Sequence, residues 1–245
     1  MIGQMSLAFA LLLAAWPAWT AQTFTAADLA AKNIAARGGA ERIKAISSLR
    51  VTRVVGTPFA TVRVVILRQR PGSLRIEQTV PGRPTTARIT SPEGAWDETP
   101  QGWVARSPAA AAESQATDAD IDGFLVDYER KGHRLAYAGL EQVGGRSAHH
   151  LKVTLKTGAE WSVYLDPATF LERRHAGSLT LPNNTRLATV LDFSDWREVA
   201  GVMFPFAIDE DRAAAGQTFA IYVEKIEPNV TIDAAAFAPP AAVRK

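Results

Sequence analysis

The chain has 245 residues, a formal net charge of +2 and no cysteine. Without cysteine there can be no disulfide, no thiolate nucleophile, no Cys-bound metal and no lipid anchor on a cysteine. Its basic residues are scattered singly along strand-like stretches with no aromatic platform among them, which argues against a nucleic-acid partner.

From Met5 to Trp16 the only polar residue is Ser6. That run falls short of the roughly 20 residues a membrane span needs, and it ends in Pro17 and small residues. Residues 1–21 therefore read as a cleaved signal peptide, and 22–245 as one domain. An exported chain without an anchoring cysteine is expected to be soluble and, in a two-membrane bacterium, periplasmic.

Next comes "TAADLAAKNIAARGGAERIKAISSL". Thr25 with Asp28 three residues on has the spacing of a capping box. Gly38-Gly39 stops the helix, and a second short helix is predicted over Ala40–Ile46. Leu29, Ile34, Ile43 and Ile46 are the predicted buried positions.

Then the apolar period changes to two, the mark of antiparallel strands with one apolar face. Val62, Val64 and Ile66 share a phase, although Val65 and Leu67 make that strand apolar on both sides. Leu74 and Ile76 alternate with Arg75 and Glu77. Further on, Leu151 and Val153, Trp161 and Val163, Leu187 and Leu191, and Phe219 and Ile221 repeat the pattern. Turns fall at Pro71-Gly72, Pro81-Gly82, Gly144-Gly145, Thr157-Gly158, Asp166-Pro167, Asn183-Asn184 and Ala215-Gly216. This predicts about 9 to 11 strands, with residues 107–133 inserted as a helix-bearing segment between two halves of the sheet. Trp96 and Trp103 flank a hairpin, where they either line a cleft or cover a sheet edge.

Several stretches tempt a chemical reading. "DADIDGFLVDYE", Asp118 to Glu129, matches the ligand spacing of a calcium loop. Gly132 follows too soon for the exit helix that such a loop needs, so the acids are equally the opening of a helix. His149 and His150 are adjacent on a strand, face opposite ways and cannot close on one metal. In "EWSVYLDPATFLERR", Asp166-Pro167 is turn chemistry, and Arg173 and Arg174 point to opposite faces. No G-x-S-x-G, H-E-x-x-H or phosphate loop is present. Residues 22–90 hold 12 Lys or Arg against 3 Asp or Glu, while 91–245 hold 15 against 22. The basic half is either a wall facing an anion or a set of arginines on the wet faces of strands.

Five blocks in order, "NIAARGGAERIKAISSLRV", "GFLVDYERKGHRLAYAGLEQVGGRSAHHLKVTLKTG", "YLDPATFLERR", "FSDWREVAGVMFPFAI" and "IEPNVTIDAAAFAPP", resemble the periplasmic outer-membrane lipoprotein-sorting proteins, relatives of the Lol-type lipoprotein carriers. The resemblance runs from about Ala27 to Pro240. The family block Gly-Pro-Leu followed by Asp-Tyr reads Gly123-Phe124-Leu125-Val126-Asp127-Tyr128 here, with the proline replaced. The resemblance implies an α+β fold: a strongly curved antiparallel sheet forming an unclosed half-barrel, with helices covering its concave face and an acyl chain in the cavity. Three residues, Arg50, Arg53 and Arg63, lie where the carriers have a ligand-gating arginine, and no motif chooses among them.

The expected function is a non-catalytic carrier or sensor for a lipid or a lipoprotein acyl chain, without cofactor or metal. Its partners would be the lipid or acylated lipoprotein and membrane-bound donor or acceptor proteins. The expected cavity wall is Val62, Val64, Leu74, Ile76, Leu151, Val153, Trp161, Val163, Leu187, Leu191, Phe219 and Ile221. The alternatives are an interaction or sensor module whose sheet is plugged by its own helices, an enzyme acting on an apolar substrate through a rim carboxylate, and a calcium site at 118–129.

Overall fold

The computed structural model describes residues 24–57, 60–180, 185–241 and 243–244. The expected signal segment 1–21 and the Asn183-Asn184 turn lie outside the described residues. Helix α1 spans Ala26–Ala36 and α2 spans Ala40–Lys44. The capping box is present: the Asp28 amide donates to the Thr25 hydroxyl at 3.1 Å, and the Thr25 amide donates to the Asp28 carboxylate at 2.9 Å. Gly38, at φ 112°, turns the chain between the helices. A Cβ there would collide with the Gly201 carbonyl, so glycine is what lets the elbow reach the turn Ala200-Gly201. The Met203 amide then donates to the Arg37 carbonyl at 2.9 Å and ties the elbow to the sheet.

Six strands follow: β1 (Ser48–Gly56), β2 (Thr61–Gln69), β3 (Ser73–Thr79), β4 (Thr86–Ser91), β5 (Gly94–Thr99) and β6 (Gly102–Ala105). Helix α3 (Pro108–Ala116) opens the segment leading to β7 (Arg134–Val143). Then come β8 (Arg146–Thr154), β9 (Glu160–Leu165), β10 (Glu172–Thr180), β11 (Arg186–Val199), β12 (Val202–Arg212) and β13 (Gln217–Pro228). These strands form one sheet in the order β6-β5-β4-β3-β2-β1-β13-β12-β11-β10-β9-β8-β7, antiparallel throughout. The two-residue β14 (Val243–Arg244) adds to β6 in parallel. The sheet is thus two meanders joined where β1 pairs with β13. Its ends, β6 and β7, do not pair among the described residues, so the barrel stays open. A bulge at Tyr137/Gly139 interrupts the free edge strand β7.

Thirteen strands exceed the 9 to 11 predicted. Among them β4, β5 and β6 are only four to six residues long and display little alternation. The Trp96/Trp103 hairpin is β5–β6, with Trp103 opposite Glu98.

The core lies on one face of the sheet. Ile43 and Ile46 from the α2 region and Ala119, Ile121 and Val126 from the inserted segment pack with Leu49, Val51, Val64, Ile66, Leu74 and Phe204. Leu29 of α1, with Phe124 and Leu125, packs with Leu151, Val153, Trp161, Val163 and Leu165. Leu29, Ile43 and Ile46 are at most 3% exposed, as predicted, while Ile34 is half-buried.

Gly177 of β10 lies under the Trp161 indole, and a Cβ there would sit 2.5 Å from the ring. The Gly177→Ala protein is expected to lose about 1–3 kcal/mol of stability through overpacking, read as a lower urea midpoint. An unchanged midpoint would mean that Trp161 can move off this site.

Candidate functional site

Residues directly opposite one another in an antiparallel pair share a face. Following those pairs across the sheet joins Ile76 to Ile66, Val62 to Val55, Val55 to Ile221, Phe219 to Glu210, Glu210 to Leu191, Leu191 to His175, His175 to Val163, and Val163 to Leu151. All twelve residues of the expected cavity wall therefore lie on one face, the face that holds the core. They divide into two groups. Val64, Leu74, Leu151, Val153, Trp161, Val163 and Ile221 are at most 3% exposed. Most of these pack against the helices and the inserted segment, which leaves them no surface for a guest. Val62, Ile76, Leu187, Leu191 and Phe219 are half-buried. So are Val55, Phe193, Phe206, Ile208 and Val223, which the expected wall did not include.

The division follows the direction of the strands. In β1 the residues Ser48, Leu49, Val51 and Thr52 are buried, and those from Arg53 onward are only half-buried. The β12 strand does the same, from buried Val202 and Phe204 to half-buried Phe206 and Ile208. One end of the face is covered and the other is left apolar and partly open.

Charged groups stand on this same face. Arg53 lies opposite Val64 and Val223, and Arg68 lies opposite Leu49 and Leu74. The wet-face reading of the basic half therefore fails for these two, although it holds for Arg50, which is exposed, and for Arg63, which is exposed and pairs with Glu224 at 3.0 Å. Arg68 donates to the Asp118 carbonyl at 2.6 Å. Glu210 receives Arg212 at 2.7 Å and the Thr189 hydroxyl at 3.3 Å, and the Arg212 guanidinium stacks 5.0 Å from the Phe219 ring. Three polar nitrogens on this face, Arg53 Nε, Trp161 Nε1 and His175 Nε2, are buried without a hydrogen-bond partner.

A polar bridge crosses from the β6 side to β10 and β11. Arg106 donates to the Thr180 carbonyl at 2.5 Å, Glu113 of α3 accepts the Thr180 hydroxyl, and Arg186 lies 3.7 Å from Glu113. A cleft of about 360 Å³ beside it is lined by Ala109, Ala112, Glu113, Ala159, Thr180 and Arg186.

The calcium spacing at 118–129 assembles differently. Lys131 places its ammonium 2.6 Å from Asp120 and 2.8 Å from the Gly123 carbonyl. Arg70 holds Asp122 through both oxygens, and Glu129 instead accepts from the Tyr128 hydroxyl at 3.2 Å. Two basic side chains thus occupy the place a cation would take. No cluster of three or more His, Asp or Glu able to hold a metal occurs among the described residues. A second cleft of about 360 Å³ includes Arg70, Asp120, Asp122, Lys131 and His133. Burial raises the Asp120 carboxyl above its usual range, opposed by Lys131. This is the shifted carboxylate that an enzyme would need, yet both its oxygens are taken, by Lys131 and by the Asp122 amide.

His149 and His150 do face opposite ways: His149 pairs with Tyr137 at 2.9 Å, His150 with Glu141 at 2.8 Å and Ser162 at 2.9 Å. The Ser162–His150–Glu141 order matches that of a hydrolytic triad. It sits at the free edge of the sheet, with Glu141 on β7, and the N–H groups around Ser162 and His150 belong to the β8–β9 and β7–β8 ladders. Asp166 receives the Ala168 and Thr169 amides at 2.9 and 3.0 Å, the expected turn.

No protein-family model matches the chain, and no curated protein matches it. Solved structures do. A LolA superfamily protein from Nitrosomonas europaea superposes with a TM-score of 0.59 at 13% identity, over 89% of this chain and 99% of that one. A DUF1329 family protein from Desulfovibrio piger superposes with a TM-score of 0.57 at 14% identity, over 87% and 95%. The chain shares their fold. No helix among the described residues is long and apolar enough to cross a membrane.

Burial lowers His175 and His133 to about 4. Both are therefore neutral in the folded protein where the unfolded chain, near 6.5, would be protonated. Their contribution to stability is complete above about pH 6.5 and is lost as pH falls toward 4, by up to about 1.4 kcal/mol per unit for each histidine. Urea midpoints between pH 7 and 4 should fall in that window, and the His175→Gln protein should fall less steeply. A flat profile for the wild type would mean that neither ring is sealed.

Proposed function

We propose that this chain is a non-catalytic carrier for a lipid or a lipoprotein acyl chain, held against the uncovered half of the inner sheet face. The observation that carries this reading is the division of that face. One end is packed to completion by α1, α2 and the inserted segment, while the other keeps Val62, Ile76, Leu187, Leu191 and Phe219 half-exposed. A twisted sheet of this many strands that does not close curls toward one side. We take the core face as the concave one, with the helices over part of it. Guest binding then needs no reactive group. Each buried methylene contributes about 0.8 kcal/mol, so ten supply about 8 kcal/mol before the cost of association.

The shared fold with a LolA superfamily protein and the five sequence blocks support a carrier role. In this reading residues 1–21 direct export and are removed, the protein works in the periplasm, and membrane-bound donor and acceptor proteins load and unload it.

Native mass spectrometry of protein purified gently from a periplasm tests this. A discrete adduct that extracts as lipid is expected. A clean apo mass with no uptake of added phospholipid or acylated peptide would overturn the proposal. Leu191→Arg and Phe219→Arg should fold and take up at least about tenfold less lipid. Val153→Arg and Val163→Arg should instead fail to fold, because they bury an unpaired charge in the packed end.

A further inference from the structure

Arg53 stands where the covered end of the inner face gives way to the open end. Before it on β1 come Leu49 and Val51, both under 9% exposed; after it comes half-buried Val55. Its cross-strand neighbours, Val64 and Val223, are apolar. Of the other arginines of the basic half, Arg63 has Glu224, Arg70 has Asp122, Arg75 has Glu77 and Arg88 has Asp97, whereas Arg42, Arg50, Arg68 and Arg83 have no carboxylate partner among the described residues. Arg53 has none among the described residues, and its Nε is sealed from solvent without an acceptor. Glu210, an acid on the same face, accepts Arg212 and the Thr189 hydroxyl through its Oε1.

We propose that Arg53, backed by Arg68, is the subsite for the anionic head of an amphiphile, a carboxylate or a phosphate, which lies head inward with its tail along Val62, Leu191 and Phe219. This deepens the carrier reading and rests on it. A guanidinium presents a planar fork of donors that matches two oxygens of a carboxylate or phosphate. The sealed Nε of Arg53 is a donor without an acceptor, and an anion delivered by the guest would supply one. Burial and the charge of Arg68 pull the Arg53 pKa down to about 10, which still leaves it protonated at neutral pH. Arg68 and Arg212 add positive potential, against Glu210 and Asp118. A neutral ester head could accept one hydrogen bond but would leave the charge unanswered. The open wall agrees with this orientation. Toward the covered end the next inward pair, Val51 and Ile66, is closed off at 8% and 2% exposure. Beyond Arg53 β1 runs on for three residues, roughly 10 Å.

The test uses one tail with different heads: laurate, dodecyl phosphate, methyl laurate and, separately, inorganic phosphate. Affinities are read by displacement of a fluorescent apolar probe from the full folded protein. At least one charged amphiphile is expected to bind about tenfold or more tighter than methyl laurate. Arg53→Gln should erase that preference and leave methyl laurate within about twofold of wild type. Arg53→Met, close in shape and without charge, should do the same and serves if the glutamine variant folds poorly. Equal binding of charged and neutral heads, or a preference that survives both substitutions, would overturn the head-group subsite while leaving the carrier reading intact. Failure of every amphiphile to bind would overturn both. Inorganic phosphate binding that depends on Arg53, with no gain for the charged amphiphiles over methyl laurate, would make this a free-anion site and also overturn the proposal.

Discussion

The pairing of β1 with β13 is the constraint on which the rest of the structure depends. Each of the two meanders is built from neighbours in sequence. Only this pair, with Leu49 opposite Pro228, Val55 opposite Ile221 and Gly56 opposite Ala220, makes them one sheet with one continuous inner face. It joins segments about 170 residues apart, so it is also the contact whose loop closure costs most chain entropy. The register shift at Thr52/Arg53 lies inside this seam. A bulge there keeps Arg53 on the inner face beside Val64 while its neighbours on β13 slip by one residue.

The division of the face follows from a shortage of cover. Three helices of eleven, five and nine residues cannot blanket thirteen strands. They are held at one end by specific ties: Gly38 against Gly201, Met203 to Arg37, and Arg70 to Asp122 of the inserted segment, which Lys131 braces internally through Asp120. Those acids, which resemble a metal loop in isolation, are the clamps that keep the plug in place. The open end is then what remains, a surface whose apolar residues are half-exposed because nothing in the described chain is long enough to reach them.

Local features were readable from the residues alone. The capping box at Thr25, the Gly38-Gly39 stop, the Thr157-Gly158 hairpin and the Asp166-Pro167 turn are decided by chemistry within four or five residues. The phase of several strands was readable too, and it placed the twelve residues of the expected wall on a common face. What alternation cannot show is which part of that face another segment covers. Val153 and Leu191 look alike in sequence, yet Leu29 and Leu125 pack in the cluster around the first and not the second. Period two likewise hides the inward arginines. Arg53 and Arg68 occupy apolar phases, and an eye trained on apolar residues passes over them. The signal was present, because a charged residue in phase with Val51, Val55, Val64 and Ile66 is the one that breaks the pattern. The same blindness to distance made 118–129 look like a calcium loop, since the side chains that fill it come from Arg70 and from Lys131.

A sheet that does not close leaves two loose selvedges, and they are finished differently. The β6 side is hemmed by β14. The β7 side is left free, but its bulge at Tyr137/Gly139 puts a jog into the row of backbone groups that a foreign strand would have to match, and Arg134 and Glu141 set charges along it. The free edge is thereby a poor template for another chain. A sheet of this design can stand ajar without zipping onto a neighbouring strand.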